Sequence, residues 1–313
     1  MAFYILRRIL AIVPTCLAVA VIVFAILRLT PGDPATVLAG DMATPEQLAQ
    51  IRAALGVDQP IHLQFVFWIG RLLQGDLGIS LISQVPVTQL ILDRSGPTLA
   101  LAISTIVSSV VVAVPLGVAA ARFRHSWLDR GLMGFSVLGF SVPVFLKGYL
   151  LVLLFAVGLR WLPVQGYTAP ADSMAGFATA LVLPTIALSL SYIALIARIT
   201  RSSVLEIIRE DYIRTARAKG VGERLVLFRH ALRNAAVPIL TVIGIGIATL
   251  ISGVVVTESV FNLPGLGRLV VESVLARDYP VVQGLILVFA MVCILINLMV
   301  DLLYCVFDPR ISY

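Results

Sequence analysis

Charge is scarce in this sequence of 313 residues: Asp, Glu, Lys and Arg make up 13% of it, against 59% hydrophobic residues and a mean hydropathy of +1.02. That leaves too little polar surface for a soluble globule of this size, so the reading is an all-α integral membrane protein. Lysine occurs twice, at Lys147 and Lys219, and neither follows a glycine. A Gly-Lys-Ser/Thr loop that cradles phosphates is therefore excluded, and with it ATP binding of that kind by this chain. Histidine occurs three times, at His62, His125 and His230, with no His-Glu-x-x-His pattern and no paired carboxylates in a loop, which argues against a catalytic centre. The three cysteines, Cys16, Cys293 and Cys305, lie in or beside apolar runs and offer neither a disulfide framework nor metal-ligand spacing. A net charge of +6 with a pI near 9.5 would suit a nucleic-acid binder, but the arginines gather between apolar runs. Retention of positive loops in the cytoplasm explains them better, so no nucleic-acid partner is expected.

What is present is a succession of apolar runs. Arg7 and Arg8 precede a run over residues 9–27, longer than a signal-peptide core and close to the roughly 20 residues that cross a bilayer. It is read as an uncleaved first span with its N-terminus inside. Residues 30–96 turn polar and predict a small external helical subdomain. Pro31-Gly32-Asp33-Pro34 is a turn cluster whose Asp33 reads as a structural cap. Thr44-Pro45-Glu46-Gln47 opens a short helix that should stop at Gly56. A second short helix, with Ile61, Phe65, Trp68, Ile69 and Leu72 on one side, should stop near Gly75. Five further spans are placed at residues 98–121, 132–157, 178–197, 237–256 and 281–304, with kinks expected at Pro115, Pro143 and Pro184. Six spans with both ends inside put fifteen of the 23 basic residues on the inner side.

The most distinctive stretch lies between spans four and five, over residues 198–236. It carries nine basic residues, and its apolar positions Val204, Leu205, Ile208, Tyr212 and Ala216, then Val221, Leu225, Phe228 and Leu232, have the spacing of two amphipathic helices. Gly220 and Gly222 separate them. Such a pair suits a membrane surface from which its corner is presented to a partner.

At Tyr212-Ile213-Arg214-Thr215-Ala216-Arg217-Ala218-Lys219-Gly220 this stretch resembles the cytoplasmic coupling motif of ABC importer permeases, a Glu-Ala-Ala triplet ahead of a glycine followed by an Ile-x-Leu-Pro ending. Here Arg214, Thr215 and Ala216 hold the triplet positions, so the glutamate is missing. The ending is His230-Ala231-Leu232-Arg233, with the proline delayed to Pro238. The segment looks closer to the subfamily that handles dipeptides, oligopeptides, glutathione and nickel. The opening double arginine, Pro31-Gly32-Asp33-Pro34, the run from Glu258 to Gly267, Arg277-Asp278-Tyr279-Pro280 and Asp308-Pro309-Arg310 look like its first permease subunit.

The resemblance implies a subunit of a heteromeric importer in the inner membrane. Its partners would be a second homologous permease, two ABC ATPase subunits that carry ATP and Mg, an external solute-binding protein and membrane lipid. This chain itself would bind no cofactor or metal. The coupling residues would be Glu210, Tyr212, Arg214, Thr215, Ala216, Arg217, Lys219, Gly220 and Glu223. After the fifth span, Glu258, Phe261, Pro264, Gly265 and Gly267 read either as part of an external gate or as a plain connecting loop. Lys147 within the third span would snorkel, contact the partner permease or line the pathway. Asn297 and Asp301 are intramembrane polar residues, Asp301 paired with a cytoplasmic arginine or capping its span. A short peptide is the first substrate choice, ahead of nickel, since no His or Cys cluster lines a span. The competing readings are an ion-coupled secondary transporter acting alone and a scaffold that moves no solute.

Overall fold

The protein is described here by a computed structural model that covers residues 2–29, 44–46, 48, 52 and 58–307. The chain runs through α1 (Ala2–Leu29), α2 (Ile61–Leu73), α3 (Val87–Arg122), α4 (Trp127–Ser141) and α5 (Val144–Leu151), the last wound on into a π-helical turn, Val152–Gly158. It continues through α6 (Met174–Ile207), α7 (Asp211–Ala218), α8 (Glu223–Leu225), a π-helical turn Val226–Ala231 and α9 (Leu232–Asn234). The last helices are α10 (Ala236–Phe261), α11 (Leu266–Leu275) and α12 (Tyr279–Phe307). The turns expected at Pro31-Gly32-Asp33-Pro34, the helix opening at Thr44 and the closing Asp308-Pro309-Arg310 fall wholly or mostly outside the described residues.

Among the described residues four helices, α3, α6, α10 and α12, are long and apolar enough to cross a bilayer, and the pair α4–α5 makes a fifth if counted as one span. α1 adds a shorter apolar run, Leu10–Ala25. The third span expected over residues 132–157 is not one helix: α4 and α5 meet at 105°. Proline is the reason. Val142, extended at φ −87° and ψ 122°, precedes Pro143, whose ring disfavours the helical conformation one residue earlier and supplies no amide. Pro115 and Pro184 lie inside the helices α3 and α6, which continue through them.

α3 and α6 have 36 and 34 residues, so at about 1.5 Å per residue each exceeds the roughly 30 Å hydrocarbon thickness. They lie parallel along a seam of small residues, which lets backbones approach where lipid supplies no hydrophobic drive. Ala113 and Ala120 of α3 pack against Ile196 and Ala197 of α6 and Leu132 of α4. Hydroxyls link the same two helices: Ser104 with Thr185 and Ser108 with Ser189, both at 2.8 Å. α10 packs against α6 and α12, with Gly244 facing Val300. The outer extension of α3 packs Val87 and Ile91 against Leu266, Leu269, Val281 and Leu285 of α11 and α12.

A β-carbon at Gly117 would stand 2.7 Å from the Ala197 carbonyl oxygen and 2.6 Å from Thr200 Cβ, whereas one at Gly131 would meet nothing within 4 Å. Gly117→Ala should therefore destabilise by about 1–3 kcal/mol, the usual cost of overpacking. Gly131→Ala should be neutral or mildly stabilising. Unfolding midpoints of the two variants in detergent will check the contrast.

Candidate functional site

Three places in this bundle gather the polar residues. The first is the elbow between α6 and α10. The expected first amphipathic helix is in fact two elements: α6 runs on to Ile207, the chain turns through Ile208, Arg209 and Glu210, and α7 starts at Asp211, whose carboxylate suits a helix N-terminus. α7 ends in paired bonds from Val221 N to Ala216 O (3.2 Å) and Gly220 N to Arg217 O (2.9 Å), which need a left-handed residue at the corner. Gly220 supplies it with φ +81°.

The buried face also differs from the expected one. Ile213 is fully buried while Tyr212 is exposed, and Val226, Leu227 and Ala231 are buried while Leu225 and Phe228 point outward. The π-helical turn Val226–Ala231, wound with i→i+5 bonds, shifts the phase that an α-helical reading assumes. Leu227 and Ala231 of the inward set join Val118 and Ala121 of α3, Val204 of α6, and Ala235 and Ile239 at the start of α10 in one cluster.

Across the corner Arg217 donates from Nε and Nη2 to the two carboxylate oxygens of Glu223 at 3.1 and 2.8 Å. Arg122, at the end of α3, stands 3.9 Å from the same carboxylate. The Arg217 hydrogen bonds hold the Glu223 carboxyl below its ordinary value of 4.5. Glu210, Arg214, Thr215, Lys219 and Gly220 are exposed, and Ala216 is half-buried. Arg214 pairs only with Asp211 beside it on α7, at 3.0 Å. Nearby, Arg201 of α6 grips the buried Asp129 of α4 with two nitrogens, and Asp129 also accepts from His125 N at 2.9 Å. Neither member of that pair stood out in the sequence. Asp129 sits three residues after the capping Ser126, and only that local pattern could have marked it.

The second place is the α4–α5 break. Pro143 has no amide for the carbonyl four residues earlier, Gly139. Lys147 supplies the donor instead, its Nζ 3.0 Å from Gly139 O and also bonded to Ser191 Oγ. Ser191 Oγ donates to the same carbonyl at 3.2 Å. Lys147 is buried at the break, bonded to Gly139 O and Ser191 Oγ.

The third place is the opposite end of the bundle. Glu258 is fully buried near the end of α10. Its Oε1 accepts from Thr98 Oγ1 at 2.6 Å, its Oε2 from Arg268 N at 3.0 Å, and Thr98 Oγ1 in turn accepts from Leu266 N at 2.8 Å. A threonine and a glutamate from two other helices thus cap the first turn of α11. The intervening loop fits only with small residues: a β-carbon at Gly265 would stand 2.1 Å from Glu258 Oε1, and one at Gly267 2.6 Å from Val255 Cα. Asn262 turns the end of α10 with φ 56°, Phe261 is buried in the cluster around Leu188 and Leu250, and Pro264 is half-buried. Arg94 and Arg268 both reach Glu272, at 3.1 and 2.7 Å. Asp278, from the quoted Arg277-Asp278-Tyr279-Pro280 run, is buried and accepts from Leu81 N at 3.0 Å, whereas Thr98 was not singled out from sequence.

Apart from these, Asp301 of α12 pairs with Arg8 of α1 at 3.1 Å. With Asn297 and Thr15 they line a cleft of about 140 Å³.

The model of the family described as binding-protein-dependent transport system inner membrane component matches residues 113–313, and its N-terminal companion matches residues 1–102. A probable peptide ABC transporter permease protein of Sinorhizobium fredii is 50% identical over 100% of both chains. A glutathione transport system permease protein of Salmonella choleraesuis is 46% identical over 99% of both. Among solved structures, the MetNI methionine ABC transporter in inward-facing conformations superposes with a TM-score of 0.59 at 18% identity, over 71% of this chain and 97% of that one. That likeness is one of fold.

Thr98→Val removes both a donor to Glu258 and the acceptor for Leu266 N. The buried groups left behind should cost about 1–3 kcal/mol, read as a lowered unfolding midpoint in detergent. Glu223, with its carboxyl depressed in the folded chain, contributes stability above pH 4.5 that fades as pH falls through the folded value. Glu223→Gln should therefore lower the midpoint at pH 7, and the gap to the parent should close as the medium is acidified well below pH 4.5. A gap independent of pH would assign the effect to something other than this ion pair.

Proposed function

Because the chain belongs to the family of binding-protein-dependent transport system inner membrane components, we propose that it forms half of a pathway for short peptides, glutathione-like ones included, driven from its elbow. The chain is a multi-pass membrane protein and a permease subunit of an ABC importer. The remaining half of the pathway belongs to a second, homologous permease. Two ATPase subunits, which hold ATP and Mg, dock beneath, and a solute-binding protein delivers substrate from outside. The peptide reading draws support from relatives named for peptide and glutathione transport, and leaves nickel as second choice.

One observation carries the coupling reading: the elbow has two unlike sides. Its inner side is fused through one apolar cluster to α3, α6 and α10. Its outer side offers Tyr212, Leu225 and Phe228 among Arg214, Lys219 and Arg224. A groove on an ATPase that grips the outer side moves the inner side with it, because the corner is closed by the Arg217–Glu223 pair and the Gly220 turn. The bundle then switches as a two-state element biased from both ends. Six spans with both termini in the cytoplasm complete the proposal. In support, the Arg8–Asp301 pair joins the first and last helices at the end of the bundle that carries the elbow.

Gly220→Val places a β-branched residue at φ +81°, where it is strained even though nothing stands within 4 Å. The variant should reach the membrane in normal amount while ATP-dependent uptake by the reconstituted complex falls by about tenfold or more. Full uptake would remove the elbow from the mechanism. Uptake that persists without the ATPases and collapses with an uncoupler would replace it with ion coupling.

A further inference from the structure

α2 is apolar nearly all round, carrying only His62, Gln64 and Arg71 as polar side chains, and none of its residues is buried. Ile61, Val66, Phe67 and Leu73 are 60%, 62%, 64% and 83% exposed. A helix of thirteen residues with this surface has no reason to remain folded in water. Its length, about 20 Å, is also too short to span.

Its depth follows from α1. Phe24 of α1 packs edge-on against Phe65 and tilted against Trp68, with ring centroids 5.2 and 5.6 Å apart. On the same helix Arg8 pairs with Asp301 at the other end. From Arg8 to Phe24 the helix rises roughly 24 Å at about 1.5 Å per residue. If the ion pair sits at one edge of a hydrocarbon layer about 30 Å thick, Phe24 lies inside the other edge. The rings of α2 are thus level with the acyl chains of the outer leaflet. The polar groups lead back out: Arg71 binds Asp76 at 2.9 Å, and Gln64 Nε2 donates to Gln59 O at 2.7 Å. α1 likewise carries an exposed apolar stripe at Leu10, Val13, Leu17 and Val21.

We propose that α2 is an interfacial helix seated at the headgroup–acyl boundary of the outer leaflet, with phospholipid covering Val66, Phe67 and Leu73. It pegs the outer end of α1 through the Phe24, Phe65 and Trp68 cluster. Phe, Trp and a snorkelling Arg at one level are what that boundary favours.

Photocrosslinking in the assembled complex tests this. Benzoylphenylalanine is placed at Phe67, and separately at Val66, in case one variant fails to assemble. The complex is reconstituted in nanodiscs of phosphatidylethanolamine and phosphatidylglycerol with radiolabelled acyl chains. Both positions should take up about tenfold more lipid label than the same probe at Thr215 on the elbow, without a new protein-sized adduct. An adduct to the second permease or the binding protein, or an internal crosslink to residues 30–57 of this chain, would overturn the proposal. Label no higher than at Thr215 would do the same.

Discussion

A hydrocarbon layer offers no hydrogen-bond donor, so every carbonyl or amide that a helix leaves open within it must be answered from inside the protein. That constraint organises the two places in this fold that depart from plain helices. Where Pro143 leaves the Gly139 carbonyl open, Lys147 and Ser191 answer it. Where α11 starts with unpaired amides, Glu258 and Thr98 answer them. In each case the answering side chain comes from another helix or from across the break, so satisfying the backbone also fixes how the helices sit. The lysine and the glutamate are therefore parts of the scaffold that carries function, and each is buried because its partner is.

The elbow obeys a different economy. It lies among charges, and its geometry comes from an apolar cluster on one side and an arginine–glutamate pair across the corner. The pair is partly exposed, so its energy is small; its value lies in closing the angle between α7 and α8. A corner of defined angle transmits a displacement, whereas a loose loop would absorb it.

Hydropathy made α3, α6, α10 and α12 legible, because long apolar runs between charges have no other solution in a membrane. It did not distinguish Pro143 from Pro115 and Pro184, since each removes one amide. What differs at Pro143 is a lysine four residues on and a serine from another helix within reach of the freed carbonyl, and such donors belong to tertiary structure. The buried face of the elbow was misjudged because an α-helical count was carried through the break at residues 208–210 and then through the π-helical turn Val226–Ala231. Glu258 and its glycines stood out as a cluster, but their bond to Thr98 was not legible in sequence. That residue lies 160 positions earlier and makes the carboxylate a cap. The Gly220 turn needed no tertiary partner: the two glycines between amphipathic runs marked the corner in the sequence, and Gly220 takes the left-handed backbone there.

The same helix that offers Thr98 to Glu258 at one end brings Arg122 to Glu223 at the other. α3 is unbroken over that distance, with Pro97 and Pro115 inside it, and its 36 residues are long enough to cross a bilayer. One uninterrupted helix thus ties the elbow to the cap of α11, so the two distant polar sites share a single structural member.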